Sequence, residues 1–366
     1  MTVDRNCVRV GPGSRIAMTP RPFGSLPSGQ PVEAYTLANA SGASIQVVTY
    51  GGIVTSLRMP DRQSRLADIV LGFNDLGSYL RGHPYFGAIT GRIAGRVSGG
   101  QLAVGGRTYP LERNDGPNHL HGGRCGLDKR LWAAQPQARE DGAPSLRLTY
   151  HSPDGEEGYP GNVDIAVTYT LTETNAFVIE TEATADRVTP LSLTNHSYFN
   201  LGGEDSGEIS GHELQIFAEE FVPTDDSMTL SDRREQVSGR GADFRSPRRL
   251  GEALPTLFKA HGDVYLLRAP RAAPPQSPTL AARVAESRSG RVLEVFTDES
   301  CLQFYTGVSL NGTLVGKSGF CYGPHAGFCL ECQGYPNASR LGGFGDILVR
   351  PGRPQLRRTV YAFSTS

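Results

Sequence analysis

The run Leu191-Ser-Leu-Thr-Asn-His-Ser-Tyr-Phe-Asn-Leu201 sets Asn195, His196, Ser197, Tyr198 and Asn200 close together behind an alternating start, Pro190 to Thr194. That start predicts a strand, and Gly202-Gly203 end the run. Hydrogen-bonding side chains at this density require either a polar core network or a ligand. Two readings fit this stretch alone. One is a buried, satisfied histidine at a strand end. The other is a site for a ligand with many hydroxyls, a sugar.

Four other stretches bear on the choice. Arg92 and Arg96 stand four apart among glycines, where forked donors and a closely approaching backbone suit a ligand, or a tight bend with carboxylate partners. His119 and His121 flank Leu120, so on an extended chain both point one way. As half of a metal site they lack a third ligand at helpful spacing, and a single ring nitrogen donating to a sugar oxygen is the simpler expectation. In Phe328-Cys-Leu-Glu-Cys-Gln333, alternation puts Phe328, Leu330 and Cys332 on one face and Cys329, Glu331 and Gln333 on the other. A carboxylate in an apolar strand is costly if bare, so Glu331 faces solvent, pairs with an arginine or lines a polar cleft. The same alternation separates Cys329 from Cys332, which argues against a redox or metal pair.

The elements that must position these groups are strands. Val163 to Leu171 alternates cleanly, and Phe177 to Ala183 repeats the pattern. Shorter runs follow the same rule at 32–37, 45–50, 53–59, 101–111, 213–221, 257–267, 291–296 and 302–306. Asp75 to Leu80 suits one helical turn. With 45 glycines and 25 prolines among 366 residues, helical repeats are excluded and turns are plentiful. The expected class is all-β, a sandwich or barrel. Residues 1–22 read as a loose leader, and 269–278 as a proline-rich exposed loop within one domain rather than a linker.

The formal charge of -1 gives no electrostatic case for nucleic acid or an anionic membrane. There is no apolar stretch of membrane-spanning length and no secretory signal pattern, and the six cysteines lack a disulfide-framework spacing. These features predict a cytoplasmic protein with reduced thiols. Oligomeric state, monomer or homodimer, stays open.

Several motifs together resemble the aldose 1-epimerase (galactose mutarotase) family, in the family's order, from about Phe23 to Phe363. They are Tyr50-Gly-Gly-Ile-Val-Thr-Ser-Leu, Asp68-Ile-Val-Leu-Gly-Phe73, Pro84-Tyr-Phe-Gly with Gly91-Arg-Ile-Ala-Gly-Arg96, and Asn118-His-Leu-His-Gly-Gly123. Asp154-Gly-Glu-Glu-Gly-Tyr-Pro-Gly161, Thr194-Asn-His-Ser-Tyr-Phe-Asn-Leu201, Gln303-Phe-Tyr-Thr-Gly307 and Leu330-Glu331 complete the set. The resemblance implies one large antiparallel β-sandwich domain over 23–366, with a monosaccharide in a cleft on one sheet. It implies His196 as general acid and Glu331 as general base. It implies Arg96, His121, Asp263, Tyr198 and Gln303 as substrate-binding residues, with no metal and no cofactor. The chain departs from the family where Gly95 precedes Arg96, where Val308-Ser309 follow Gly307, and around Asp263, where the usual Asp-His pair is missing. These departures bear on which sugar is preferred. The reaction implied is interconversion of α and β anomers of a free aldohexose such as galactose or glucose.

Three alternatives remain at this point. A sugar-binding or regulatory protein on the same fold would have no turnover. A glycosidase needs two carboxylates flanking the scissile bond, for which Asp263 is the one candidate partner of Glu331. An epimerase for a phosphorylated sugar needs a cationic phosphate pocket.

Overall fold

The alternation at Val163 to Leu171 sets the frame. The computed structural model describes residues 18–231, 233–267, 277–338 and 347–366. In it Val163–Leu171 and Ala176–Ala185 pair antiparallel inside a nine-stranded sheet. The sheet runs Ala133–Ala138, Pro144–Ser152, Val163–Leu171, Ala176–Ala185, Gln355–Thr365, Arg291–Thr297, Thr279–Glu286, His212–Ile216 and Arg248–Arg249. The last strand of the chain lies between Ala176–Ala185 and Arg291–Thr297.

Two five-stranded sheets and four two-stranded pairings accompany it among the described residues. One orders Arg21–Ser25, Pro31–Ala38, Ser44–Val48, Val54–Pro60 and Leu66–Asp68; the other orders Glu235–Gln236, Glu220–Val222, Val264–Leu266, Cys301–Tyr305 and Cys329–Gln333. One buried cluster joins Ile165, Val167 and Tyr169 of the large sheet to Ile45, Val47 and Leu57 of the first small sheet. Leu302, Phe304, Leu330 and Cys332 of the second belong to the same cluster. Inward-facing apolar side chains from facing sheets therefore share one core, and the fold is an all-β antiparallel sandwich. Among the described residues no helix is long and apolar enough to cross a membrane.

Several boundaries differ from the expectation. The first strand starts at Arg21, inside the stretch read as a leader, while residues 1–17 lie outside the described residues. Most of the proline-rich stretch, 268–276, also lies outside them. The run 213–221 splits, giving His212–Ile216 to the large sheet and Glu220–Val222 to a small one. The run 257–267 is a strand only at Val264–Leu266, because Lys259 and Ala260 take positive φ and turn the chain before it. The expected helical turn is present as Leu76–Leu80, with Asp75 accepting from the Ser78 N–H at its N-terminus.

The run 191–201 is extended but is a ladder only at Thr194–Asn195, opposite Ile89–Thr90. Elsewhere it threads between segments. Ser192 N–H donates to Arg92 O, His196 N–H to Ala88 O, Asn200 N–H to Ile69 O, and Phe199 exchanges bonds with Phe328. Every residue of the run is buried, so its backbone groups must find such partners.

Arg92 ties the same region together. It is 2% exposed. Its guanidinium donates to Ser152 Oγ at 2.8 Å and to the carbonyls of Ser152, Pro153 and Pro160 at 3.0, 2.8 and 3.1 Å. The bend reading is therefore right for Arg92, with carbonyls in place of carboxylates. Arg92→Ala strands these acceptors and is expected to cost about 3–5 kcal/mol in urea unfolding. Arg96→Ala, removing a partly exposed ion pair, is expected to cost less than about 1 kcal/mol. Equal losses would contradict the division of labour between the two arginines.

Candidate active site

Glu331 sits on Cys329–Gln333, directly opposite Gln303 on the neighbouring strand Cys301–Tyr305. The face division expected from alternation holds: Leu330 and Cys332 enter the core, while Glu331 and Gln333 line a cavity of about 220 Å³. Arg96, His121, His196, Tyr198 and Gln303 line it too. Six of the seven residues proposed from the sequence thus converge, from segments as far apart as Arg96 and Glu331.

His196 and Glu331 meet inside the cavity. His196 Nε2 lies 3.6 Å from Glu331 Oε1, and both residues are nearly inaccessible to solvent. Burial penalises the charged form of each. It pushes the Glu331 carboxyl up to about 8, against a smaller opposing pull from Arg96. It pushes the His196 imidazole down to about 4. Two groups this close titrate as a unit, and at neutral pH the pair holds one proton between them. The ring of His196 is clamped between Tyr85, stacked at 5.7 Å, and Tyr198, stacked at 5.2 Å. Its Nδ1 lies 3.5 Å from Cys329 Sγ. Burial holds that thiol well above its ordinary pKa, so a neutral S–H faces Nδ1 and leaves Nε2 as the nitrogen toward Glu331.

His121 is oriented by backbone. It takes positive φ, which breaks the alternation expected at 119–121 and separates the two histidines. His119 turns into the interior between Glu112 O and Tyr159 Oη, each at 2.6 Å, and has a structural role. His121 turns to the cavity, and its Nδ1 accepts the Gly95 N–H at 3.1 Å. The neutral ring then carries its proton on Nε2 and is a donor. Gly95 itself is in the left-handed region at φ +79, and a Cβ there would sit 2.6 Å from Pro336 Cγ. That accounts for glycine before Arg96. Arg96 Nε donates to Asp115 at 2.6 Å, so the carboxylate expected for a structural arginine is present and Arg96 still lines the cavity.

His121, His196 and Glu331 place ligand atoms within 4.8 Å of one another, a spacing suited to a cation. Sequence spacing gave no third ligand; the fold supplies Glu331. The donor set nevertheless suits a metal poorly. His121 Nδ1 already accepts from Gly95, and Nε2 could ligate only if its proton moved to Nδ1, against that N–H.

Asp263 is the exception among the proposed site residues. It does not line the cavity. Its carboxyl is buried without a hydrogen-bond or ion-pair partner among the described residues, and burial raises it to about 6. What Asp263 contributes is its carbonyl, which accepts Phe304 N–H and Gln303 Nε2 and so orients Gln303. His261 lines the cavity instead. Sequence reasoning missed His261, Tyr85 and Cys329. Alternation already placed Cys329 on the face of Glu331; nothing local marked the other two.

These features can deliver one proton donor and one acceptor to neighbouring oxygens of a polyhydroxylated ligand. The sequence model of the family described as aldose 1-epimerase matches residues 33–362. A galactose mutarotase from Sus scrofa is 42% identical over 352 residues, covering 96% of this chain and all of the relative. An aldose 1-epimerase from Escherichia coli K12 is 31% identical over 344 residues, covering 92% and 96%. The crystal structure of a GalM/aldose epimerase homologue from C. elegans superposes with a TM-score of 0.83 at 28% identity, covering 91% of this chain and 99% of that one. With its sandwich, its cleft and this match over nearly the whole length, the chain belongs to the aldose 1-epimerase family.

Proposed function

We propose that the protein is a mutarotase acting on free aldohexoses, galactose first among them, with Glu331 as general base and His196 as general acid. The observation that carries this reading is the one-proton pair, 3.6 Å apart, inside a cavity the size of a monosaccharide. In the reactive arrangement the pair's proton sits on His196, making it an imidazolium beside the Glu331 carboxylate. Glu331 takes the proton of the C1 hydroxyl as His196 Nε2 gives its proton to the ring oxygen and becomes a neutral imidazole, and the C1–O5 bond breaks to an open-chain aldehyde. Rotation about C1–C2 presents the other carbonyl face. The O5 hydroxyl then attacks C1, His196 recovers its proton, and Glu331 returns its own to the C1 oxygen. Both catalytic groups end as they began. Each positioned proton transfer contributes roughly 10²–10⁴-fold. Arg96, His121 and Gln303 hold the remaining hydroxyls and supply positioning.

The geometry disfavours the alternatives. Glu331 is the only carboxylate among the described residues lining the cavity, so a two-carboxylate glycosidase lacks its second group. Among the described residues Arg96 is the only arginine or lysine lining it and is engaged by Asp115, which gives a sugar phosphate no cationic pocket there. A purely binding protein gains nothing from burying an acid–base pair at this cost. We further propose a cytoplasmic location, which the absence of a secretory pattern supports.

The direct test is polarimetry of dissolved α-D-galactose or α-D-glucose. Wild type is expected to speed the approach to equilibrium rotation and His196→Ala to lose the effect; no acceleration with any aldose would leave the binding-protein reading. Catalysis requires a single proton on the pair. The rate should therefore rise with pH through about 4, stay level, and fall through about 8. A profile flat across that upper limb would remove Glu331 from the chemistry.

Glu331→Gln should abolish turnover while calorimetric titration still detects sugar. It should also unfold at a higher temperature than wild type near neutral pH. The folded pKa of Glu331 is raised, so its share of stability is full below the unfolded value near 4.5 and is lost as pH rises through the folded value. The glutamine carries no such loss, and the difference between the two melting curves should close toward pH 4. A variant less stable at pH 7 would mark Glu331 as a structural carboxylate.

A further inference from the structure

The non-reacting hydroxyls of a bound sugar call for acceptors as well as donors in the cavity wall. A sugar hydroxyl both donates and accepts. Arg96 and the Nε2–H of His121 can only donate, and Glu331 is committed to the anomeric centre. The non-reacting hydroxyls still need acceptors for their own protons, and the residue expected to supply a carboxylate, Asp263, lies outside the cavity wall. Gln303 provides one acceptor. Its Nε2 is spent on Asp263 O and Phe304 O, which leaves Oε1 free.

The second acceptor is built by an unusual piece of backbone. Lys259 and Ala260 both hold positive φ, at 50° and 53°, a region that residues with side chains rarely enter. Gly262 follows at φ +99, where a Cβ would lie 2.4 Å from Phe304 O. The turn is pinned to the adjacent strand on both sides of His261. Thr306 Oγ1 donates to Ala260 O, Thr306 N–H to His261 O at 3.0 Å, and Phe304 N–H to Asp263 O at 3.1 Å. Backbone held in this way tends to accompany a functional demand. Its product is a fixed imidazole. The His261 ring rests against Tyr305 with centroids 4.6 Å apart, and its Nδ1 donates to Gly262 O at 3.1 Å. The neutral ring therefore keeps a lone pair on Nε2, which has no partner among the described residues and is not sealed from the cavity. Burial lowers its pKa to about 4, so the lone pair survives at neutral pH.

We infer that His261 Nε2 is a hydroxyl acceptor of this site, a neutral imidazole reading a non-reacting sugar hydroxyl in place of the carboxylate of Asp263. This rests on the mutarotase reading for its substrate class but not for its geometry. It also gives the missing Asp-His pair a consequence: the His261 side of the cavity carries no charge at neutral pH.

The test compares D-galactose with its 2-, 3-, 4- and 6-deoxy analogues in wild type, His261→Phe, His261→Gln and Asp263→Asn, by polarimetric kcat and KM and by calorimetric titration. Wild type should lose about 5- to 10-fold in affinity for one deoxy sugar, the amount a neutral hydrogen bond provides. His261→Phe should show a similar loss with galactose itself, carried by KM with kcat largely kept, and should no longer distinguish that deoxy sugar. His261→Gln, which restores an acceptor, should recover part of the discrimination, and Asp263→Asn should behave as wild type. The inference is overturned if His261→Phe discriminates among the deoxy sugars as wild type does, or if Asp263→Asn erases the discrimination. If wild type binds galactose without accelerating mutarotation, the catalytic reading fails and the titration series still decides on His261. If wild type binds none of these sugars, both fail.

Discussion

Keeping a carboxyl and an imidazole out of water, 3.6 Å apart, is the constraint on which the site depends. In solvent, Glu331 would be an anion and His196 would titrate near neutrality, and neither would be pressed to exchange a proton with a weakly acidic hydroxyl. Burial destabilises both charged forms, so across the neutral range the pair carries one proton, which rests on Glu331 within 3.6 Å of the His196 ring nitrogen. That poise requires walls. Tyr85 and Tyr198 sandwich the imidazole, Cys329 caps its far nitrogen, and the strand pair under Glu331 and Gln303 is backed by the sandwich core.

Main-chain groups decide which face of each ring is reactive. Gly95 N–H makes His121 a donor, and Gly262 O makes His261 an acceptor. Opposite hydrogen-bonding characters thus arise from one residue type, because a neutral imidazole carries its proton on the nitrogen that is not accepting. Such precision depends on backbone that is itself fixed. Left-handed residues at Tyr85, His121, Lys259 and Ala260 all border the cavity or its lining residues.

The polar run at 195–200 serves structure and chemistry at once. Asn195 accepts from Ser197 and donates to Gly87 O; Asn200 ties Gly207 O and Ala326 O to the run. These side chains satisfy buried backbone and hold the segment extended. His196 and Tyr198, two residues apart, turn the other way into the cavity. The satisfied-network reading therefore holds for Asn195, Ser197 and Asn200, while His196 and Tyr198 face the cavity of the proposed site.

Local pattern alone determined the class of fold, the division of faces at Phe328 to Gln333 and the placement of Glu331 on a polar face, because side-chain direction in a strand alternates regardless of what surrounds it. The order of motifs, rather than any single one, carried the family resemblance and with it His196, His121, Arg96, Tyr198 and Gln303. What sequence could not reach depended on φ angles and on contacts between distant segments. The positive φ of His121 splits it from His119, and the turn at Lys259 to Gly262 exchanges Asp263 for His261 at the cavity wall. Neither conformation follows from the local residues, since Lys and Ala disfavour it and adopt it only where strands on either side fix the chain. The proton shared between His196 and Glu331 belongs wholly to the tertiary structure, for it arises from the exclusion of water by segments that meet only in the fold.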